Sequence, residues 1–99
     1  MKNFIVLFVL AFSVLITKAQ DSKVVSAYNY RKPQYYQLDK AKLAIDEASV
    51  HEKTIANPKT WYYRGLVYQD LAVTTDANFK TLHSNPLDEA TKSYLKSLS

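Results

Sequence analysis

The chain holds a single glycine, Gly65, and places it in the middle of a stretch that otherwise reads as helix. That stretch, "NPKTWYYRGLVYQDLA" from Asn57 to Ala72, also carries the only tryptophan, Trp61. Glycine in a helix interior costs about 1 kcal/mol relative to alanine. A chain so sparing with glycine therefore needs a packing reason to put its one copy there. With three prolines and abundant Ala, Leu, Lys, Tyr and Asp, the composition points to an all-α class.

The first nineteen residues read as a separate unit. Lys2 is followed by an apolar run from Phe4 to Ile16, interrupted only by Ser13, and Thr17-Lys18-Ala19 places small residues around a cleavage point after Ala19. This is the layout of a secretory signal peptide, and the run is short for a membrane span. The sequence thus predicts a signal peptide over 1–19 and an exported, periplasmic or secreted, helical domain over 20–99. No cysteine is present, so neither a lipid-modified cysteine nor a disulfide can form. Removing Lys2 and Lys18 leaves eleven basic against nine acidic residues, so the net charge falls from +4 to +2. A balance so near neutral gives little reason to expect nucleic acid or an anionic membrane as partner.

Four helical segments follow along the expected domain. The first runs from about Ser22, a candidate N-cap, to Tyr30, and Pro33 within "RKPQYYQ" interrupts it. The second, "LDKAKLAIDEASVHEK", places Leu38, Ala41, Ile45 and Ala48 on one apolar stripe, with Lys40, Lys42, Asp46 and Glu47 on a solvated face. The third starts at Asn57-Pro58, a capping residue followed by a proline in the first turn. Trp61, Gly65, Tyr68 and Ala72 share one of its faces, while Tyr62, Tyr63, Leu66 and Val67 make the other side apolar too, so this helix is expected to be buried on two sides. "VTTDANFKTLHS", 73–84, reads as a polar connection without a period. The fourth helix repeats the Asn-Pro start at Asn85-Pro86, with Asp88 in the first turn. Leu87, Ala90, Tyr94, Ser97 and Leu98 form its expected inner face, and Glu89, Lys92, Ser93 and Lys96 its wet one.

The second and fourth segments repeat each other. "LDKAKLAIDEA" and "LDEATKSYLKS" align without gaps, pairing Leu38 with Leu87, Asp39 with Asp88, Ala41 with Ala90, Ile45 with Tyr94 and Ala48 with Ser97. Ala27 and Tyr30 keep the spacing of Gly65 and Tyr68. Trp61-x-x-Arg64-Gly65-x-x-Tyr68, followed by Ala90-x-x-x-Tyr94, resembles the tetratricopeptide repeat (TPR) pattern W-x-x-L-G-x-x-Y, then A-x-x-x-F. The resemblance covers a full repeat at about 58–99 and a degenerate one at about 22–52. Arg64 stands where the pattern prefers leucine, the 73–84 loop is about a dozen residues longer than the usual turn, and the first repeat lacks the Trp and Gly. The resemblance implies antiparallel helix pairs stacked as an α-α superhelix. Gly65 would then meet Ala90 at a close helix crossing, as Ala27 would meet Ala41, with Trp61, Tyr68 and Tyr94 packed around it.

No catalytic constellation emerges. The histidines are His51 and His83 alone; "HEKTI" begins like a zinc-protease motif but has Ile55 where the second histidine ligand belongs. Asp46-Glu47 and Asp88-Glu89 are sequence neighbours and point apart on a helix. The sequence therefore predicts no enzyme, no metal and no cofactor. By resemblance to TPR proteins, the first helix of each pair lines a concave groove that holds a peptide or protein partner. Lys59, Tyr62, Leu66, Gln69 and Asp70 would face it from the third helix, and Val24, Tyr28 and Arg31 from the first. Tyr62 and Leu66 have a second reading, as packing against a neighbouring repeat. The expected role is a protein-binding or scaffolding module of the cell envelope, with a small-ligand domain or a membrane-surface protein as the other classes. Repeats bury their faces against neighbours, so about two of them predict a marginal fold, part of a longer array or completed by self-association or another molecule.

Overall fold

The computed structural model describes residues 22–99, so the signal peptide read over 1–19 lies outside the described residues. The regular structure of those residues is helical, without a strand. Helix α1 covers residues 22–30; α2 is Leu38–Val50, α3 Pro58–Val73, α4 Ala77–Lys80 and α5 Pro86–Leu98. No helix among them is long and apolar enough to cross a membrane.

The helices form two antiparallel pairs. In the first, Lys23 near the start of α1 pairs with Glu47 near the end of α2 at 2.6 Å, while the Gln37 amide before α2 donates to the Tyr30 carbonyl at the end of α1. In the second, Trp61 at the start of α3 lies under the Lys96 ammonium near the end of α5, and Gln69 lies farther along α3 opposite Tyr94. Helix α3 packs against both α5 and α2, which is why its apolar residues are not confined to one face. The shared core is Val24 and Ala27 of α1, Leu38, Ala41, Ile45 and Ala48 of α2, Val67, Tyr68 and Leu71 of α3, and Ala90 of α5. Ala27 and Ala41 are fully buried, consistent with two axes that approach where side chains are small.

Local chemistry sets the boundaries. Asn57 caps α3 by accepting from the Lys59 amide at 3.0 Å, with Pro58 in the first turn. Ser22 is already helical, and the Asn85 side chain makes no cap bond at α5. Helix α2 stops at Val50 rather than running on through "HEK": the buried Thr54 hydroxyl donates to the Ala48 carbonyl at 2.6 Å and closes the chain into a turn. The 73–84 connection is not featureless. Asp76 caps the single turn of α4 through the Asn78 amide, and Phe79 and Leu82 pack against the core. The segment is tied back to the first pair by Tyr36, whose hydroxyl lies 2.6 Å from Thr74 Oγ1 and whose ring meets Phe79 edge-on. Those contacts hold Tyr36 at a φ of 43°, a left-handed conformation that side chains rarely adopt.

Several faces differ from the sequence reading. Ala72, Leu87 and Leu98 are exposed, whereas Ser93 is fully buried. Helix α5 is thus rotated so that Ala90, Ser93 and Tyr94 face α3. The hydroxyl of Ser93 is tolerated there because it accepts from Arg64 Nη1 at 2.7 Å. Val24, expected on the groove, belongs to the core. Trp61 lies at the end of the α3–α5 contact, its indole N–H donating to the Ile55 carbonyl at 2.6 Å. Gly65 faces the ring of Tyr94: a Cβ added there would lie 2.5 Å from Cδ1, 2.9 Å from Cζ, and closest to Cε1. The missing side chain is the space into which an aromatic ring is laid.

Candidate functional site

Four tyrosines from three helices form a continuous strip. Tyr28 of α1 stacks on Tyr63 of α3 with centroids 4.7 Å apart; Tyr63 neighbours Tyr62 at 5.9 Å, and Tyr62 neighbours Tyr94 of α5 at 6.0 Å. Each step follows from local geometry. Tyr62 and Tyr63 occupy adjacent positions of α3 and so diverge toward its two neighbours, Tyr94 reaching one and Tyr28 the other. Tyr94 can lie flat along α3 only because Gly65 has no side chain, and its hydroxyl then donates to Gln69 Oε1 at 2.6 Å. Burial, and the nearby Tyr62 and Asp70, push the Tyr94 hydroxyl above its usual pKa, with Arg31 opposing. It therefore stays a neutral donor at physiological pH.

Cations flank this strip. Arg31 sits 5.1 Å from the Tyr28 ring centre and closes an ion pair with Asp70, Nε to Oδ2 at 2.7 Å. Lys32 lies 5.5 Å from the same ring centre, and Lys59 lies 5.4 Å from that of Tyr63. Neither lysine has an ion-pair partner among the described residues. Of the residues expected on a groove, Tyr28, Arg31, Lys59, Tyr62, Gln69 and Asp70 thus fall on one connected surface, and Leu66 is half-buried on the same helix. Tyr63 and Tyr94 join it without having been expected there. The i, i+1 tyrosine pair was the available signal for Tyr63; for Tyr94 there was none, because its place beside Gly65 depends on the relative rotation of two helices. Beyond Arg31 the strip opens into a surface cleft of about 400 Å³ lined by Arg31, Pro33, Tyr36, Asp70, Val73 and Thr74.

A second polar cluster lies between the helices. Asp46, read from sequence as part of a solvated face, accepts from the Tyr68 hydroxyl at 2.8 and 2.9 Å and pairs with Lys42 at 2.8 Å and with Arg64 Nε at 3.4 Å. Arg64 continues to Glu89 Oε2 at 3.2 Å and lies 4.4 Å from the Tyr68 ring centre. Burial first, then the bond to Asp46, pushes the Tyr68 hydroxyl up to about 12, against the pull of Arg64 and Lys42. The hydrogen bond and charge of Asp46 likewise raise Lys42, against partial burial. With Tyr68 1% exposed, its hydroxyl is a structural donor rather than a group open to a substrate.

That shift has a measurable sign. An unfolded tyrosine loses its proton near 10, while folded Tyr68 keeps it to about 12. Between those values the folded chain binds more protons, so stability falls as pH rises through the window and the contribution is fully present below it. The raised Lys42 acts in the same direction. Tyr68→Phe is expected to cost about 1 kcal/mol at neutral pH yet to flatten the alkaline decline. Denaturant midpoints measured from neutral to strongly alkaline pH check this, and equal alkaline slopes for both chains would refute it.

No family model, curated protein or solved structure matches this chain.

Proposed function

We propose that the protein is an exported, TPR-like binding or scaffolding module of the cell envelope that holds a peptide or protein segment against the tyrosine strip. The observation that carries this reading is the strip itself: Tyr28, Tyr63, Tyr62 and Tyr94, contributed by three helices, flanked by Arg31 and Lys59. Tyrosine and arginine are the side chains that dominate interface energetics, combining large contact area with hydrogen-bonding tips. Tyr62 remains 48% exposed although Tyr63 and Tyr94 lie against it, which leaves its ring free for contact. The parallel run of α1 and α3, joined by Tyr28–Tyr63 and Arg31–Asp70, supports a stacked-repeat arrangement with first helices lining one surface. In this reading the protein performs no reaction and needs no cofactor or metal. A small-ligand reading draws on the cleft of about 400 Å³ beside Arg31; stabilisation by a metabolite, abolished by Arg31→Ala, would favour it instead.

The test is a photo-crosslinking residue at position 62 in the host cell, followed by fractionation. The expected result is a defined adduct in the envelope fraction that disappears in a Tyr28→Ala, Lys59→Ala background. An adduct indifferent to those changes, or a chain confined to the cytoplasm with Met1 retained, would overturn the proposal.

A further inference from the structure

The second helix pair exposes at its outer side the positions that the first pair covers. The gapless alignment of α2 with α5 matches Leu38 to Leu87, Asp46 to Leu95 and Ser49 to Leu98. In the first pair Leu38 is fully buried in the core with Val67 and Leu71 of α3, Ser49 is 6% exposed, and Asp46 is engaged by Arg64 and Tyr68 of α3. In the second pair Leu87, Leu95 and Leu98 are 62%, 63% and 84% exposed. They recur at i, i+8 and i+11 with Thr91 in the gap, which aligns them along one side of α5. Where the covered surface carries a carboxylate and a hydroxyl, the exposed one carries two leucines. The opposite end of the stack differs: the side of α1 turned away from α2 and α3 carries Ser22, Ser26 and Asn29 beside exposed Val25.

We infer that the leucine stripe of α5 (Leu87, Leu95 and Leu98) is a docking surface for one amphipathic helix of a partner polypeptide, seated as α3 is seated on α2. The first pair shows the geometry: a helix laid across the second helix of the pair, with its apolar positions down on this stripe. The residue change at one position states the chemistry of the guest. Arg64 of α3 is satisfied on α2 by Asp46; its counterpart on α5 is Leu95, which offers no acceptor, so a guest must place an apolar residue there. A second copy of this chain does not fit the description. Among the described residues its own α3 is held between α2 and α5 and its outer α1 side is polar, so none of the described helices is free with the required pattern.

The probe is a synthetic peptide with the sequence of residues 57–73 carrying Arg64→Leu, titrated against the protein isolated from its host. Saturable binding is expected, weakened at least about tenfold by Leu95→Lys in the protein. The peptide that retains Arg64 should bind about tenfold more weakly than the leucine form. Leu43→Lys, a change at an equally exposed leucine of α2, should have no effect. Because the lysine replaces an exposed side chain, an unchanged melting temperature identifies a folded variant. Absence of binding, binding indifferent to Leu95→Lys, or equal affinity for both peptides would overturn the inference. So would a concentration-dependent dimer abolished by Leu95→Lys, since that would assign the stripe to a second copy.

Discussion

Gly65→Leu is expected to destabilise the protein by at least about 3 kcal/mol, lowering the melting temperature by roughly 15 °C for a domain of this size. The reason is geometric. Even a single added carbon at position 65 would collide with Cε1, Cδ1 and Cζ of Tyr94. Those atoms belong to a ring held at its far end by the bond to Gln69 and on one side by Tyr62. Gly65→Ala tests the same contact with less strain. Alanine would gain about 1 kcal/mol of helix propensity, and displacing the ring is expected to more than offset that gain, for a net loss of about 1 kcal/mol. The sign is what decides. A Gly65→Ala chain more stable than wild type, or a Gly65→Leu chain with an unchanged urea midpoint, would show that Tyr94 can leave the helix without cost. In the second case the tyrosine strip could not be a fixed surface. Tyr94→Ala in the Gly65→Leu background provides the internal control, since removing the ring should recover most of the loss.

The same pair shows what was legible in the residues and what was not. A lone glycine beside Trp61 and Tyr68 announced a close approach, and the pattern of Asn-Pro starts located α3 and α5 to within a residue. Which side chain meets the glycine was not legible. Ala90 and Tyr94 are both on the inner side of α5, and choosing between them needs the relative rotation of two helices. The register of α5 departs from its apolar pattern for a related reason. Leu87 and Leu98 are apolar yet exposed, and Ser93 is inside because a cation on α3 supplies its hydrogen bond. A polar residue can take a core position when its partner comes from another element, and periodicity within one helix carries no record of that partner. Lys59, Tyr62, Gln69 and Asp70 share a side of α3, and that follows from the period of one helix whatever its neighbours do. Asp46 stands at the other extreme. Its neighbours Lys42 and Glu47 are those of a solvated face, and only the arrival of Arg64 and Tyr68 from a distant segment turns it into a hub.

Arg64→Ala is expected to cost about 2–3 kcal/mol, although it replaces a charged residue at a position where the family pattern it resembles prefers an aliphatic one. The Arg64 side chain is 14% exposed and reaches three elements of contact: Asp46 on α2, Glu89 and Ser93 on α5, and the face of Tyr68 on its own helix. Fully exposed ion pairs contribute little, and removing one member of a fully buried pair costs about 3–5 kcal/mol. The two carboxylates here are 32% and 26% exposed, which puts the expected loss between those limits. Part of the loss is Coulombic rather than hydrogen-bonded, because the buried Nε lies 3.4 Å from Asp46 Oδ1 without making a hydrogen bond. Lys42 would still neutralise Asp46 in the variant, so the larger penalty falls on Glu89 and on the buried Ser93 hydroxyl, which lose Nη1. Arg64→Lys should recover only a fraction, since one ammonium cannot face α2 and α5 together as a planar guanidinium does. The informative variant is Arg64→Leu. If Arg64 ties the two pairs together, leucine leaves both carboxylates without it and stability falls nearly as far as with alanine. A Gln at position 89 combined with Arg64→Leu should then restore part of the loss, because it removes the charge that was stranded. Urea unfolding of the four variants beside the wild type measures this directly. An Arg64→Leu chain at least as stable as wild type would mean that the helix pairs are joined by apolar packing alone and that the cluster is incidental to the fold.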